Sequence, residues 1–424
     1  MRPSYPAEAD LRGNRRSRLL LWAVTLIGVI GPGIVVMLAD TDAGSLITAA
    51  QSGARFGYRF VLPEVLLIPV LYVVQEMAAR LGIYTQQGHG ILIRENFGNF
   101  WAILSGLTLF ISSVGALVTE FVGIVGVGEL FGVSRWVTVP VVTVFLILIA
   151  LSGSYRSLER IGILVGLAEL VFIPATLLSH PSLSAFKSQL TNVPITDHAY
   201  LYLLAANIGA VVMPWMIFYQ QGAVIDKGIK EASIRHMRID TAVGAVVTQL
   251  IMIGVVVSLA ATVGRARHGA SLASVGGISQ ALEPFLGPVG AKVLLGCGVL
   301  GASLVAAIVA SVASAWGLGE VFNWRHSLNL RPKEAKKFYL SYSLIHVLGA
   351  IIVLAGFDLV NLAVDVEVIN AILLPIVLGF LLLLEARVLP AKYRLRGPFR
   401  YVVWGMCLLV ICFALFIVPA MIHF

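Results

Sequence analysis

Long apolar runs separated by short polar and basic interruptions occupy nearly the whole chain. Candidate spans lie near 19–54, 60–82, 101–131, 134–152, 158–179, 199–222, 240–263, 290–318, 338–356, 364–386 and 400–421. Each approaches the roughly 20 residues that cross a hydrocarbon core of about 30 Å. The first and sixth spans, five apart, are interrupted. In the first, VVMLADTDAGSLITAA brings Asp40 and Asp42, with Gly44 and Ser45, into the middle of an apolar segment. In the sixth, LYLLAANIGAVVMPWMIFYQQGAV carries Pro214 at mid-span, where a proline removes a backbone donor and clashes with the preceding turn. Non-helical backbone at that depth is tolerated only where protein or a water-filled cavity surrounds it. Paired interruptions at matching places predict two inverted five-helix repeats, with a substrate site where they meet near the midplane.

The expected organisation is a tail at 1–18, a first repeat at 19–179, a second at 199–386 and an additional eleventh helix at 400–421. The chain is 58% hydrophobic and 12% charged, so its apolar surface needs a solvent other than water, and an all-α integral membrane protein is expected. With the N-terminus inside, 23 of the 30 Lys and Arg residues fall on the inner side and 7 outside. A bacterial inner membrane is the expected location, and that asymmetry predicts a cytoplasmic N-terminus with the C-terminus outside. It also accounts for the net charge of +8 without nucleic acid as a partner; the lipid bilayer is the expected surrounding, and no obligate protein partner is inferred. No small-residue cleavage site follows the basic tail. Cys297, Cys407 and Cys412 lie in apolar runs and read as small buried hydrophobes. No phosphate loop, nucleophile elbow or zinc-type cluster occurs, so neither an enzyme nor a cofactor is expected.

The stretch GPGIVVMLADTDAGSLITAAQSGARFGYRFVLPEVLLIPVLYVVQEMAARLGIYT resembles the Nramp family of divalent metal transporters, which has a leucine transporter-like fold. DAGS falls on the family's Asp-Pro-Gly-Asn, ARFGY on its Gly-x-x-Phe-Gly-Tyr and AARLG on its Ala-Arg-Leu-Gly. In the sixth span GAVVMPWM falls on Gly-Ala-x-x-Met-Pro-His-Asn; YRSLERIG and LLP also match family positions. The resemblance implies that Asp42 binds metal, that Met213 offers a thioether and that Ala210 offers a freed carbonyl. Unwound backbone near Thr41 and Ala43 adds carbonyls, and Pro214 belongs to the second signature.

Several positions depart from the family pattern. Ser45 replaces the amide ligand and reaches the ion through water. Ala43 replaces the proline, leaving Gly44 to mark the break. Trp215 and Met216 replace the histidine and asparagine, Glu120 keeps the first acid of the third span, and Gly123 replaces the second. The histidine and acids are associated with proton transfer, so weak or absent proton coupling is expected. This pattern resembles the divergent Nramp-related magnesium transporter branch. Mg2+ sheds water reluctantly and is held by one or two carboxylates with several waters, whereas Met213 suits a softer ion; the reading puts Mg2+ ahead of Mn2+ as substrate. The alternatives are a proton-coupled Mn2+/Fe2+ transporter of the ordinary Nramp type and, in another class, a non-transporting metal sensor or receptor. An anionic or amino-acid cargo conflicts with Asp42.

Plainer roles compete at single positions. Asp40 reads as a vestibule or packing residue, Glu120 as a structural partner for an arginine or a backbone amide, Asn370 as a pathway residue or interhelical glue, and Trp215 as a packed gate. Glu64 and Glu76 have no role beyond interfacial position or pairing. Glu159 with Arg156 and Arg160 reads as a cytoplasmic network, His89 as a loop histidine, and RPKEAKK as a solvated inner loop open to anionic lipid.

Overall fold

The computed structural model describes Val36 and residues 39–152, 167–266, 272, 274–327 and 330–417. The tail at 1–18, the entry to the first span, Arg156, Glu159 and Arg160, and the C-terminal end beyond 417 lie outside the described residues. Helix α1 (Ala43–Phe56) leads through a short 3-10 turn into α2 (Val61–Thr85), and α3 (His89–Phe97) links it to α4 (Asn99–Leu130). Then come α5 (Arg135–Ser152), α6 (Phe172–Leu178), α7 (Leu183–Thr191), α8 (His198–Val211) and α9 (Pro214–Asp226). The remaining helices are α10 (Ile234–Ala261), α11 (Val275–Val321), α12 (Lys336–Leu354), α13 (Leu359–Arg387) and α14 (Gly397–Cys412).

Nine stretches among the described residues are long and apolar enough to span a membrane. One of them, Ala43–Thr85, holds both α1 and α2, and the shorter apolar stretch Leu167–Leu178 is the described end of the fifth span. Helix, with a 3-10 turn at Leu167–Val171, therefore occupies the described part of the positions read from the hydropathy pattern. The eighth span differs most. It begins at Val275 and bends at Gly287 (φ 70°, ψ 164°), because Pro288 cannot donate the next backbone bond and glycine accepts the positive φ. The short helices α3 and α7, which fall between the apolar runs, have no counterpart in that pattern. Among the cysteines only Cys407 is buried; Cys297 and Cys412 are exposed on helix surfaces, which corrects the expectation that all three are interior.

Helix ends are fixed locally. Asp197 Oδ1 accepts from the N–H groups of Ala199 (2.8 Å) and Tyr200 (3.3 Å) at the start of α8, and Asp358 Oδ1 accepts from Asn361 N (2.8 Å) at the start of α13. Each satisfies donors that a helix N-terminus leaves open. Helix α1 lies against α8, α10 and α13, while α4 and α11 pack along one another. Two glycines set the closest crossings: a Cβ at Gly53 would overlap the Val256 backbone of α10, and one at Gly209 the Glu367 backbone of α13. Small residues at such crossings let backbones approach within a membrane.

Candidate metal site

Helical geometry stops after Asp40, is broken at Thr41 and Asp42, and resumes at Ala43. Asp42 is the N-cap of α1, with extended backbone (φ −71°, ψ 174°). Its Oδ1 accepts the Ser45 N–H at 2.8 Å, where a carboxylate also complements the helix dipole. Its Oδ2 is buried and receives no donor, so one oxygen serves the fold and the other is left for chemistry. Gly44 lies inside the first turn of α1 rather than at the break, which corrects its expected role.

The second break falls at Val212 and Met213, between α8 and α9. Pro214 opens α9 at a position where the missing N–H costs least. In a continuous helix the N–H of residue 214 would bond the Ala210 carbonyl; proline has none. The Ala210 oxygen instead accepts from Ser45 Oγ at 3.3 Å. One hydrogen bond thus joins α1 just after the first break to α8 just before the second, and Asn207 Nδ2, bonded to Ser52 Oγ at 2.8 Å, joins the two helices again.

Further carboxyl groups surround the first break. Glu120 Oε2 accepts the Ala43 N–H at 3.4 Å, the backbone partnership read as one possibility from sequence. Its carboxyl also faces that of Asp42, and its Oε1 has no donor. Glu367 Oε2 accepts from Asn370 Nδ2 at 3.0 Å, and Asn370 Oδ1 accepts from Ser112 Oγ at 2.8 Å. Asn370 therefore bonds α4 to α13 and holds Glu367. Glu367 Oε1 has no donor and fills the space that a Cβ at Gly44 would need. Glu169 lies beside Thr41 and packs over Gly298 of α11. Glu169 and Glu367 were not singled out from sequence, although the rule that flags Asp42, an acid within an apolar span, applies equally to both.

Met213 is fully buried, and its Sδ accepts from Trp215 Nε1 at 3.2 Å. Met216 belongs to the first turn of α9, its N–H bonded to Met213 O at 3.1 Å. Asp42, Ser45, Ala210, Glu120, Ala43 and Gly44 thus come together, Met213 turns its sulfur to Trp215, and Asn370 stands behind Glu367. Thr41, Asp42, Glu120 and Glu367 are all 0% exposed, so an ion reaches them only when helices move. Among the described residues, no three His, Cys, Asp or Glu side chains form a tight metal cage. Two peripheral expectations change or resolve: His89 is buried, its Nδ1 2.9 Å from Gln221 Oε1, and Glu76 pairs with Arg80 (3.1 Å) and Arg238 (2.8 Å).

Two membrane helices broken at facing points around buried carboxyl groups mark the leucine transporter-like fold. The manganese transporter of Eremococcus coleocola superposes with a TM-score of 0.77 over 99% of this chain and 91% of that one, at 17% identity. Mhp1, a nucleobase-cation-symport-1 family transporter, gives 0.59 over 93% of this chain and 92% of that one, at 13% identity. The family model Nramp, natural resistance-associated macrophage protein-like, matches residues 33–419. A divalent metal cation transporter, MntH, of Verminephrobacter eiseniae is 27% identical over 328 residues, 74% of this chain and 70% of its own length. The chain belongs to the Nramp family and is an integral membrane protein.

Proposed function

We propose that this divalent metal cation transporter of the Nramp type carries Mg2+ ahead of Mn2+ by alternating access, with little or no coupled proton movement. The supporting observation is the division of donors at the break. Asp42 Oδ2, Glu120 Oε1 and Glu367 Oε1 are buried oxygens without hydrogen-bond donors, while the Met213 sulfur is engaged by the Trp215 indole. Hard oxygen donors suit Mg2+, and the thioether that would favour a softer ion is occupied. In this reading Asp42 supplies charge, Ala210 a carbonyl, and Ser45 with Glu120 and Glu367 hold the ion's retained waters. Met213 borders the site from the side of α9, its sulfur held by the Trp215 indole. A bacterial inner membrane location belongs to the same reading, and the distribution of Lys and Arg supports a cytoplasmic N-terminus.

One contact favours a second reading, a proton-coupled Mn2+/Fe2+ carrier: the facing carboxyls of Asp42 and Glu120 form a short route for a proton. Uptake into proteoliposomes, with Mg2+ and Mn2+ offered separately and a pH dye inside, separates the two. Mg2+ entry without acidification is expected. Mn2+ entry with acidification and no Mg2+ entry refutes the first reading and supports the second.

A further inference from the structure

A cavity of about 480 Å3 lies where the C-terminal end of α2 meets the N-terminal ends of α10 and α14. Its lining includes Arg80, Arg238, Lys392, Arg394 and Arg396, with Glu76 the acidic member. A neighbouring cavity of about 350 Å3 shares Arg394 and Arg396 and adds Arg400 and Glu385. The carboxylates are already committed. Glu76 holds Arg80 and Arg238, Glu385 holds Arg80 at 3.2 Å, and Glu231 stands 3.8 Å from Lys392.

The cations are not matched. Among the described residues, Arg394, Arg396 and Arg400 have no ion-pair partner. Arg394 donates to the carbonyls of Leu389 (2.5 Å) and Arg387 (2.8 Å), and Arg396 to that of Ala391; these bonds fold the connecting loop and aim the guanidinium groups. Arg80 is 2% exposed, and its Nη2 has no hydrogen-bond partner, a costly condition for a buried charged donor. Helix α14, whose Phe399 lines the cavity, exposes Phe399, Tyr401 and Val402 by more than half each, a surface suited to acyl chains.

We propose that this cavity binds a phosphate-bearing anion, supplied in the membrane by an anionic phospholipid headgroup whose chains lie along α14. Guanidinium groups match phosphate oxygens in geometry as well as charge, and basic pockets between membrane helices are sites for such headgroups. The proposal does not depend on the metal carried.

The test measures thermal stability and binding of the purified full chain in zwitterionic detergent, with added dioleoyl phosphatidylglycerol, dioleoyl phosphatidylcholine or inorganic phosphate. Phosphatidylglycerol is expected to bind and stabilise, and phosphatidylcholine to do neither. Arg238→Gln combined with Lys392→Gln should weaken binding roughly thirtyfold, each cation near the surface contributing a factor of about five. Lys392→Gln alone, at a largely exposed side chain, should weaken it about fivefold. Arg238→Lys with Lys392→Arg should preserve it. Lys333→Gln with Lys336→Gln, an equal charge loss at exposed positions outside the cavity, should leave it unchanged. Stabilisation by inorganic phosphate equal to that by phosphatidylglycerol would support the same chemistry with a soluble anion as its source. No response to either anion, or equal losses in the cavity and control variants, overturns the proposal.

Discussion

Replacing Trp215 by Phe tests the proposed preference for a hard ion over a soft one. The substitution keeps a buried aromatic ring and removes one group, the indole N–H that bonds Met213 Sδ at 3.2 Å. A thioether is a weak acceptor, and a neutral intramolecular hydrogen bond contributes about 1 kcal/mol net. Releasing the sulfur therefore improves a softer ion's position by at most about that amount, or roughly fivefold at 1.4 kcal/mol per tenfold. In proteoliposomes offered both ions in competition, the Mn2+ to Mg2+ uptake ratio of Trp215→Phe should rise by about that factor. Adding Met213→Leu should abolish the rise, since the effect passes through the sulfur and the two changes must couple. A variant that elutes as a single species, transports Mg2+ and shows an unchanged ratio would refute the reasoning. So would a rise that persists without Met213.

Other outcomes follow from the same geometry. Asp42→Ala should abolish uptake while costing the α1 cap only about 1 kcal/mol, so a variant that folds and remains fully active would remove Asp42 from the site. Gly44→Ala should lower uptake by about tenfold even though alanine is the better helix former by about 1 kcal/mol, because the new methyl displaces Glu367 Oε1; paired Glu367→Asp should recover part of the loss. Burial pushes the His89 imidazole down to about 4 from its ordinary 6.5. The unfolded chain therefore binds the proton first, and the neutral histidine's contribution is complete above about pH 6.5 and falls as pH drops towards 4, by about 3 kcal/mol in all. The apparent melting temperature should fall through that window and fall less for His89→Gln; equal slopes would contradict the assignment.

The apolar runs made the helices legible because the bilayer imposes one length and leaves the backbone no other partner. Both breaks were visible for the same reason: Asp42 and Pro214 are expensive inside such runs. What sequence could not supply was proximity. Glu367 stands 325 residues from Asp42, and only the crossing of α13 over Gly44 and Gly209 brings its carboxylate to the break. His89 looked like a loop residue because polar TQQGHG carries no sign that α9 covers it. The Met213 sulfur could be assigned a place in sequence but not a direction, and its bond to Trp215 changes the donor set it leaves for an ion.

The two hydrogen bonds between α1 and α8 have a mechanical consequence. Ser45 to Ala210 ties the helices beside the breaks, and Ser52 to Asn207 ties them again, seven residues or about 10 Å further along α1. Two fasteners at that separation resist rotation as well as sliding, so the pair behaves as one strut. Separating α1 from α8 would have to break both bonds, so Asp42 and the Ala210 carbonyl stay together while these bonds hold.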